Sequence, residues 1–156
     1  MTMAPPRTPQ QRKRDSLDRL ESDVDAWVAT ADAEHGIPYL VPLSFLWDGS
    51  AIWVATPSGS PTGRNLRASG KLRLGIGPTR DLVLVEGTAR PMTADEVTNE
   101  TGDAFAASTH FDPRELDGYV FFRVEPQRIQ AWREADELPG RDLMRGGRWL
   151  VPAYRD

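Results

Sequence analysis

Cysteine is absent from this sequence, and histidine is nearly so. Without a thiol, disulfides, cysteine nucleophiles, cysteine-bound zinc and iron–sulfur clusters are all excluded. The two histidines, His35 and His110, adjoin turn-forming residues, so we expect them in turns rather than on a metal ion. No apolar run approaches the ~18 residues of a membrane span, and the N-terminal residues lack the apolar stretch of a secretory signal. These absences predict a cytoplasmic protein.

An excess of positive charge is missing as well. The chain has 19 Lys and Arg residues against 23 Asp and Glu residues, which gives a net charge of −4. Nucleic acids and anionic membranes attract proteins through positive charge. We therefore expect neither nucleic acid nor a membrane as a partner.

The length and composition fit one folded domain after a short leader. Hydrophobic residues make up 39% of the 156 residues, which is enough for a core in a domain of common size. Residues 1–14 instead carry three prolines and four basic side chains with no apolar periodicity. We predict that residues 1–14 are disordered and that residues 15–156 form a single domain.

Most of the chain has the pattern of a small antiparallel barrel. Short runs rich in Val, Leu, Ile, Trp and Phe are separated by turn signals such as Asp48-Gly49. We predict a mainly β (α+β) fold, a barrel of six to seven largely antiparallel strands with short peripheral helices. The predicted strands cover residues 26–31, 37–47, 51–56, 71–77, 82–92, 119–124 and 128–133, with a short last one over 148–151. The predicted helices begin at Asp15 or Ser16, cover residues 63–69 with Thr62 as N-cap, and cover residues 93–107.

A group of polar residues lies between the end of one predicted strand and the start of a helix. Its members are Thr56, Ser58, Ser60, Thr62, Arg64 and Asn65. Hydroxyls, an amide, an arginine and the N–H groups of a helix N-terminus are together suited to hold a phosphate group. An ordinary turn with Thr62 as N-cap explains the same residues, so both interpretations stay open.

A proline inside the predicted second strand marks another candidate site. Pro42 has no N–H to donate to a neighbouring strand, and a flat ligand can approach the backbone at such a position. An edge strand that tolerates a proline is an equally good explanation. The five tryptophans are expected in the core or at a subunit interface: Trp27, Trp47, Trp53, Trp132 and Trp149. Because we find no nucleophile, acid–base pair or metal site, catalysis here would need a cofactor.

As a set, these segments resemble the split β-barrel proteins related to pyridoxamine 5′-phosphate oxidase, which bind FMN or the deazaflavin coenzyme F-420. Residues 41–45 are similar to the strand that lies along the flavin ring in that family. Residues 51–56 and 60–66 resemble the next strand and the phosphate-binding turn and helix, and residues 83–89 carry the Val-x-Val-Glu-Gly pattern typical of the group. The resemblance covers residues 25–132.

The resemblance implies a flavin- or deazaflavin-dependent oxidoreductase that transfers hydride between its cofactor, FMN or coenzyme F-420, and a small organic substrate. It also implies a homodimer with the cofactor at the interface, to which Trp132 and residues 141–149 contribute from the second subunit. Leu43 and Ser44 would face the ring. The implied cofactor-binding residues are Pro42, Leu43, Ser44, Thr56, Ser58, Ser60, Thr62, Arg64, Asn65 and Trp132.

Two other functions remain open at the level of sequence. The same barrel can hold a flavin or a haem without turnover, for storage, sensing or delivery. Alternatively, the chain is a cofactor-free interaction domain. In that case the polar residues 56–65 form only a turn, and the tryptophans only pack in the core or at an interface.

Overall fold

A computed structural model describes residues 4–152 of the chain. Within that range the chain forms three α-helices, two short 3-10 helices and eight β-strands. The α-helices are α1 Pro9–Ser22, α2 Pro61–Ser69 and α3 Asn99–Thr109, and the 3-10 helices are Pro113–Glu115 and Ala135–Glu137. The strands are β1 Asp25–Ala31, β2 Pro38–Trp47, β3 Ile52–Pro57, β4 Lys71–Ile76, β5 Leu82–Met92, β6 Tyr119–Trp132, β7 Asp142–Arg145 and β8 Arg148–Trp149.

Six of the strands form a closed antiparallel barrel. Their order is β3-β2-β1-β4-β5-β6, and a pairing between β3 and β6 closes the ring. The strands β7 and β8 extend the sheet beyond the far half of β6. The predicted α+β split barrel is thereby confirmed. The strand β7 was not predicted, and the last predicted strand is only two residues long.

Alternating side chains fill the barrel. Val28, Phe45 and Leu74 point inward from three of its strands and are fully buried. Leu20 of α1 and Leu66 of α2 join the same core. The two helices are thus anchored to the barrel by apolar contacts. No helix in residues 4–152 is long and apolar enough to cross a membrane.

The disorder predicted for residues 1–14 is wrong for residues 9–14, which belong to α1. The helix begins early because Thr8 serves as its N-cap and accepts a hydrogen bond from a first-turn N–H. Arg12 is only 4% exposed, and its guanidinium donates to two backbone carbonyls near the end of β6. Basic side chains that suggested a solvated leader are therefore bound by the domain. Residues 1–3 lie outside the described range.

An ion-pair cluster ties the start of the chain to the end of β6, and we call it the N-terminal clasp. Arg7 donates to both carboxylate oxygens of Glu137, at 3.0 and 2.8 Å. It also lies 3.1 Å from a carboxylate oxygen of Asp15 and 3.8 Å from one of Asp81. Glu137 is 2% exposed and accepts a further bond from the backbone N–H of Arg133 at 2.8 Å. The hydrogen bonds from Arg7 lower the pKa of Glu137 to about 2.

The two strands predicted on either side of Pro126 are a single strand, β6. Pro126 lies opposite Gly87, where the register of β5 against β6 shifts between Glu86 and Gly87. Such a bulge interrupts the ladder and accommodates a residue that has no N–H to donate. The strand therefore continues through a proline that suggested its end.

The helix predicted from Thr93 begins six residues later. The Glu96 carboxylate accepts bonds from the backbone N–H and the hydroxyl of Thr93, as the sequence pattern suggests. These bonds close only a turn. α3 itself starts at Asn99, with Thr98 as its N-cap.

The barrel is split beside β2. Pairing between β2 and β3 ends at Phe45 and Val54, whereas pairing between β2 and β1 continues to Pro38. Over residues 38–42 one edge of β2 therefore has no strand partner among the strands that the structure describes. The helix α2, which follows β3 directly, contacts β1, β2 and β3 at this split.

Candidate functional site

The group of polar residues predicted from the sequence, within residues 56–65, lies where β3 ends and α2 begins. Thr56 is buried, and its hydroxyl lies 3.0 Å from that of Ser60. The Ser60 hydroxyl donates to the Pro57 carbonyl at 2.8 Å and accepts from the Gly63 N–H at 3.0 Å. Ser60, rather than Thr62, is the N-cap of α2. The expectation that Thr62 caps the helix is wrong because Pro61, with its fixed φ, already forms the first helical residue.

Thr62 is left with an unused polar atom. Its side chain is 2% exposed, and its hydroxyl oxygen has no hydrogen-bond partner among the described residues. Buried hydroxyls without a partner are uncommon, because desolvating one without a hydrogen bond costs free energy. The first turn of α2 therefore holds a polar group in need of a partner.

Two guanidinium groups lie against the loop that precedes α2. Arg64 donates to the Gly59 carbonyl at 2.6 Å, and Arg67, one turn further along the helix, donates to the Ser58 carbonyl at 2.8 Å. Neither forms an ion pair with a carboxylate in residues 4–152. The sequence pattern did not single out Arg67, although its spacing of three residues from Arg64 places it on the same helix face.

Asn65 has a structural role in the site. Its side-chain amide donates to the hydroxyl of the buried Thr30 at 3.0 Å and so fastens α2 to β1. Beside it is a cleft of about 360 Å³ between α2 and the start of β2. The walls of the cleft include Pro38 and Tyr39 on one side and Arg64 and Asn65 on the other.

The three candidates on β2 do not share one face. Leu43 packs against the barrel core, whereas Pro42 lies outward, opposite Trp27 of β1. Ser44 also lies outward and donates its hydroxyl to Asp25 at 2.8 Å. Since side chains alternate along a strand, a flat ring on one side of β2 contacts only one of Leu43 and Ser44. The structure thus places Leu43 and Ser44 on opposite faces of β2, and their contact with a cofactor ring stays a prediction.

Within one chain, Trp132 lies away from the group of polar residues at positions 56–65. The end of β6 that pairs with Thr56 is at Val120, and Trp132 is the last residue of the same strand. There it lies opposite Leu82 and under the guanidinium of Arg141, 5.7 Å from the ring centre. A ligand beside Thr56 therefore does not contact Trp132 of the same chain.

Trp149 also packs within its own chain. The Lys13 ammonium lies 4.6 Å from the centre of its ring, and the ring packs against the barrel core. The part of residues 141–149 that contains Trp149 is therefore held by α1 of the same subunit.

The chemistry of the site suits an anion with several acceptor oxygens. It combines the N-terminus of α2, two guanidinium groups and the Thr62 hydroxyl. Among the described residues the guanidinium groups have no carboxylate partner and the hydroxyl has no hydrogen-bond partner. The phosphate of a flavin or deazaflavin cofactor fits this donor set. No group of three or more potential metal ligands occurs in the described part of the chain.

The fold defines a split-barrel protein, with a candidate anion site at the N-terminus of α2. The sequence profile described as pyridoxamine 5′-phosphate oxidase matches residues 17–133. The chain belongs to this family. No curated protein matches the sequence.

Solved structures with the same fold differ in the cofactors that their names mention. An F-420 reductase is 18% identical, with 72% of this chain and 93% of that chain covered and a TM-score of 0.58. An FAD-binding protein from Mesorhizobium loti is 17% identical, with 74% and 90% covered and a TM-score of 0.58. The haem storage protein HutZ from Vibrio cholerae is 15% identical, with 74% and 89% covered and a TM-score of 0.61. At these identities the similarity establishes the fold alone.

Proposed function

We propose that this chain is a cytoplasmic flavin- or deazaflavin-dependent oxidoreductase that transfers hydride between its bound cofactor and a small organic substrate. The observation that carries the proposal is the start of α2, where Arg64, Arg67 and the buried Thr62 hydroxyl have donors to offer. Within residues 4–152 the two arginines have no carboxylate partner and the hydroxyl has no hydrogen-bond partner. Membership of a family related to flavin enzymes supports the same assignment.

In this proposal each residue of the site has a distinct role. Arg64 and Arg67 bind the cofactor phosphate by charge and hydrogen bonds, and the hydroxyl of Thr62 gains an acceptor. Ser60 and Asn65 keep α2 in position through their bonds to Gly63 and Thr30. When bound, the cofactor ring supplies the redox chemistry, so the polypeptide needs no nucleophile or metal of its own.

We further propose that the protein is a homodimer. The outer face of the barrel exposes Trp27 to 56% and Leu40 to 59%, with Pro42 beside them. Large exposed apolar side chains in one patch are typical of interaction surfaces. A second subunit on this face would cover them. Trp132 lies away from the polar residues 56–65 of its own chain. We propose that it contributes to the cofactor site of the other subunit.

A module that binds a flavin or a haem without turnover is the alternative function. The specific observation in its favour is that the haem storage protein from Vibrio cholerae has the same fold. The two functions differ in one measurable respect. A bound cofactor that NAD(P)H never reduces and that never oxidises a panel of substrates would favour the module.

The proposal is tested by absorption and fluorescence titration of the purified protein with FMN and, separately, with coenzyme F-420. We expect saturable binding with a spectral shift, at equal numbers of cofactor and chain. Arg64→Ala is expected to weaken binding by about tenfold or more, because a hydrogen-bonded charge pair with the phosphate is lost. Arg90→Ala is the matched control, because Arg90 is likewise exposed and lies on β5. If neither FMN nor coenzyme F-420 binds, a haem module or an interaction domain is the better assignment.

A further inference from the structure

Successive residues of β2 direct their backbone N–H and C=O groups to opposite edges of the strand, and two hydrogen bonds show which residues face β1. Phe45 N–H donates to the Val24 carbonyl at 2.8 Å, and Asp32 N–H donates to the Ile37 carbonyl at 2.9 Å. These bonds lie at the two ends of one uninterrupted antiparallel ladder between β1 and β2. In such a ladder the residues of a strand bond alternately to one neighbour and the other. Odd-numbered residues of β2 therefore direct their backbone groups to β1.

The even-numbered residues direct their backbone groups to the other edge of β2, which faces the split. Over residues 38–42 of that edge these residues are Pro38, Leu40 and Pro42. All three present a carbonyl oxygen, but the two prolines have no N–H. The edge of β2 at the split is therefore rich in acceptors, and Leu40 supplies its single donor between residues 38 and 42.

The positions of the prolines relate this edge to the candidate cofactor site. Pro38 lines the cleft beside Arg64, where the phosphate is proposed to bind. Pro42 lies four residues further along the edge, about 13 Å away at the usual strand rise. In FMN, 5-deaza-FMN and coenzyme F-420 alike, the ribityl chain separates the ring from the phosphate. A cofactor that lies extended along this edge, with its phosphate at Arg64, would have its ring beside Pro42.

We propose that Pro42 makes the site selective for a cofactor ring without a hydrogen-bond acceptor at its reactive edge, that is, for a deazaflavin over FMN. This inference rests on the proposed function. The flavin ring has the acceptor nitrogen N5, where a deazaflavin has a C–H group. Beside Pro42 no backbone N–H meets N5, and an acceptor that loses its water without gaining a donor is destabilised. The C–H group of a deazaflavin loses nothing there. The imide N–H that both rings carry finds carbonyl acceptors along the same edge.

The test compares two ligands that differ only at this atom, FMN and 5-deaza-FMN, by fluorescence titration of the full-length protein. We expect the wild type to bind 5-deaza-FMN at least about threefold more tightly than FMN. Pro42→Ala restores an N–H at the ring and is expected to shift the affinity ratio toward FMN by about threefold to tenfold. Pro38→Ala restores an N–H at the phosphate end of the same edge and is the matched control, with an unchanged ratio.

The outcomes separate this inference from the proposed function. Wild-type protein that binds FMN as tightly as 5-deaza-FMN, or more tightly, overturns the selectivity even if Pro42→Ala fails to fold. A folded Pro42→Ala variant with the wild-type ratio also overturns it, while the proposed function stands as long as both cofactors bind. If neither FMN nor 5-deaza-FMN binds, the inference fails, and the proposed function fails as well unless coenzyme F-420 binds.

Discussion

Gly63 has no side chain, and the loop around it leaves no room for one. A Cβ atom there would lie 2.5 Å from the Pro57 carbonyl oxygen and 3.0 Å from that of Ser58. The close approach lets the loop after β3 fold back over the first turn of α2, with the Gly63 N–H bonded to Ser60. The position of the donors proposed to hold a phosphate therefore depends on the absence of a side chain at Gly63.

Gly63→Ala is therefore expected to destabilise the protein by about 1–3 kcal/mol, because backbone atoms cannot move aside as a flexible side chain can. It is also expected to weaken cofactor binding, since the loop and α2 must separate. Gly59→Ala is the control in the same loop, where an added Cβ meets nothing within 4 Å. Urea unfolding of both variants measures the difference. Equal stability of the two would contradict the role given to the close approach.

At the scale of elements, the N-terminal clasp holds α1 and the segment after β6 together. Glu137 is buried and ionised because Arg7 and two backbone N–H groups, those of Arg7 and Arg133, stabilise its carboxylate. Its pKa is lowered from the ordinary 4.5 to about 2. A carboxylate whose pKa is lower in the folded chain stabilises folding above its unfolded pKa, and this contribution is lost as the pH falls toward the folded pKa.

We therefore expect the free energy of unfolding to fall between about pH 4.5 and pH 2, with Glu137 accounting for on the order of 1–2 kcal/mol of the loss. The Asp15 and Asp81 side chains at the rim of the cluster are each 29% exposed, so solvent weakens the pairing below its full value. Glu137→Gln is expected to lower stability at pH 7 and to flatten the decline toward acid. Chemical denaturation at a series of pH values measures both. A variant with the slope of the wild type would show that Glu137 does not govern it.

The same elements show what the sequence can predict and what it cannot. Five barrel strands, the two parts of β6 and α2 follow from alternating apolar residues and turn signals, which are local. The start of α1 was missed because Arg7 and Arg12 find their partners at residues 131–137, on the other side of the fold. The continuity of β6 was missed because the register shift that accommodates Pro126 depends on how β6 pairs with β5. Contacts distant in sequence decided each of these.

The candidate site was predicted in part for the same reason. Residues 56–65 are adjacent in the chain, and the structure keeps most of them in one hydrogen-bonded group. The separate roles of Leu43 and Ser44 depend on which face of β2 meets the core, and the role of Asn65 depends on Thr30 across the barrel end. These depend on tertiary packing, which the local pattern does not contain.

At the scale of the whole molecule, a row of alternating charges crosses the outer face of the barrel beside Trp27 and Leu40. The row runs through Arg73, Glu86, Arg128, Asp142 and Arg145, with N–O separations from 2.6 to 3.6 Å. The first three pairs join neighbouring strands, and the last lies within β7. The bonds from Arg128 and Arg145 lower the pKa of Asp142. An apolar patch beside a polar border is the usual composition of a protein interface.

Trp27→Glu combined with Leu40→Glu is expected to convert the proposed dimer to a monomer, since two buried charges per subunit have no partner at such an interface. Light scattering after size-exclusion chromatography gives the molar mass. Leu116→Glu is the control, because Leu116 is 44% exposed outside the barrel sheet. A wild-type monomer, or a double variant that remains dimeric, would exclude this face as the interface.

The pairing of β3 with β6 also determines when the protein can fold. Thr56 and Val120 are partners in that pairing, and about sixty residues separate them in the chain. During synthesis β3 therefore emerges long before β6, the strand that closes the barrel. Until β6 is made, the unpaired edge and the apolar side chains of β3 are exposed to other chains. Closure by so distant a contact is expected to be the slow step of folding. Conditions or variants that delay β6 will then reduce the yield of native protein through aggregation of the open sheet, even where the stability of the finished barrel is unchanged.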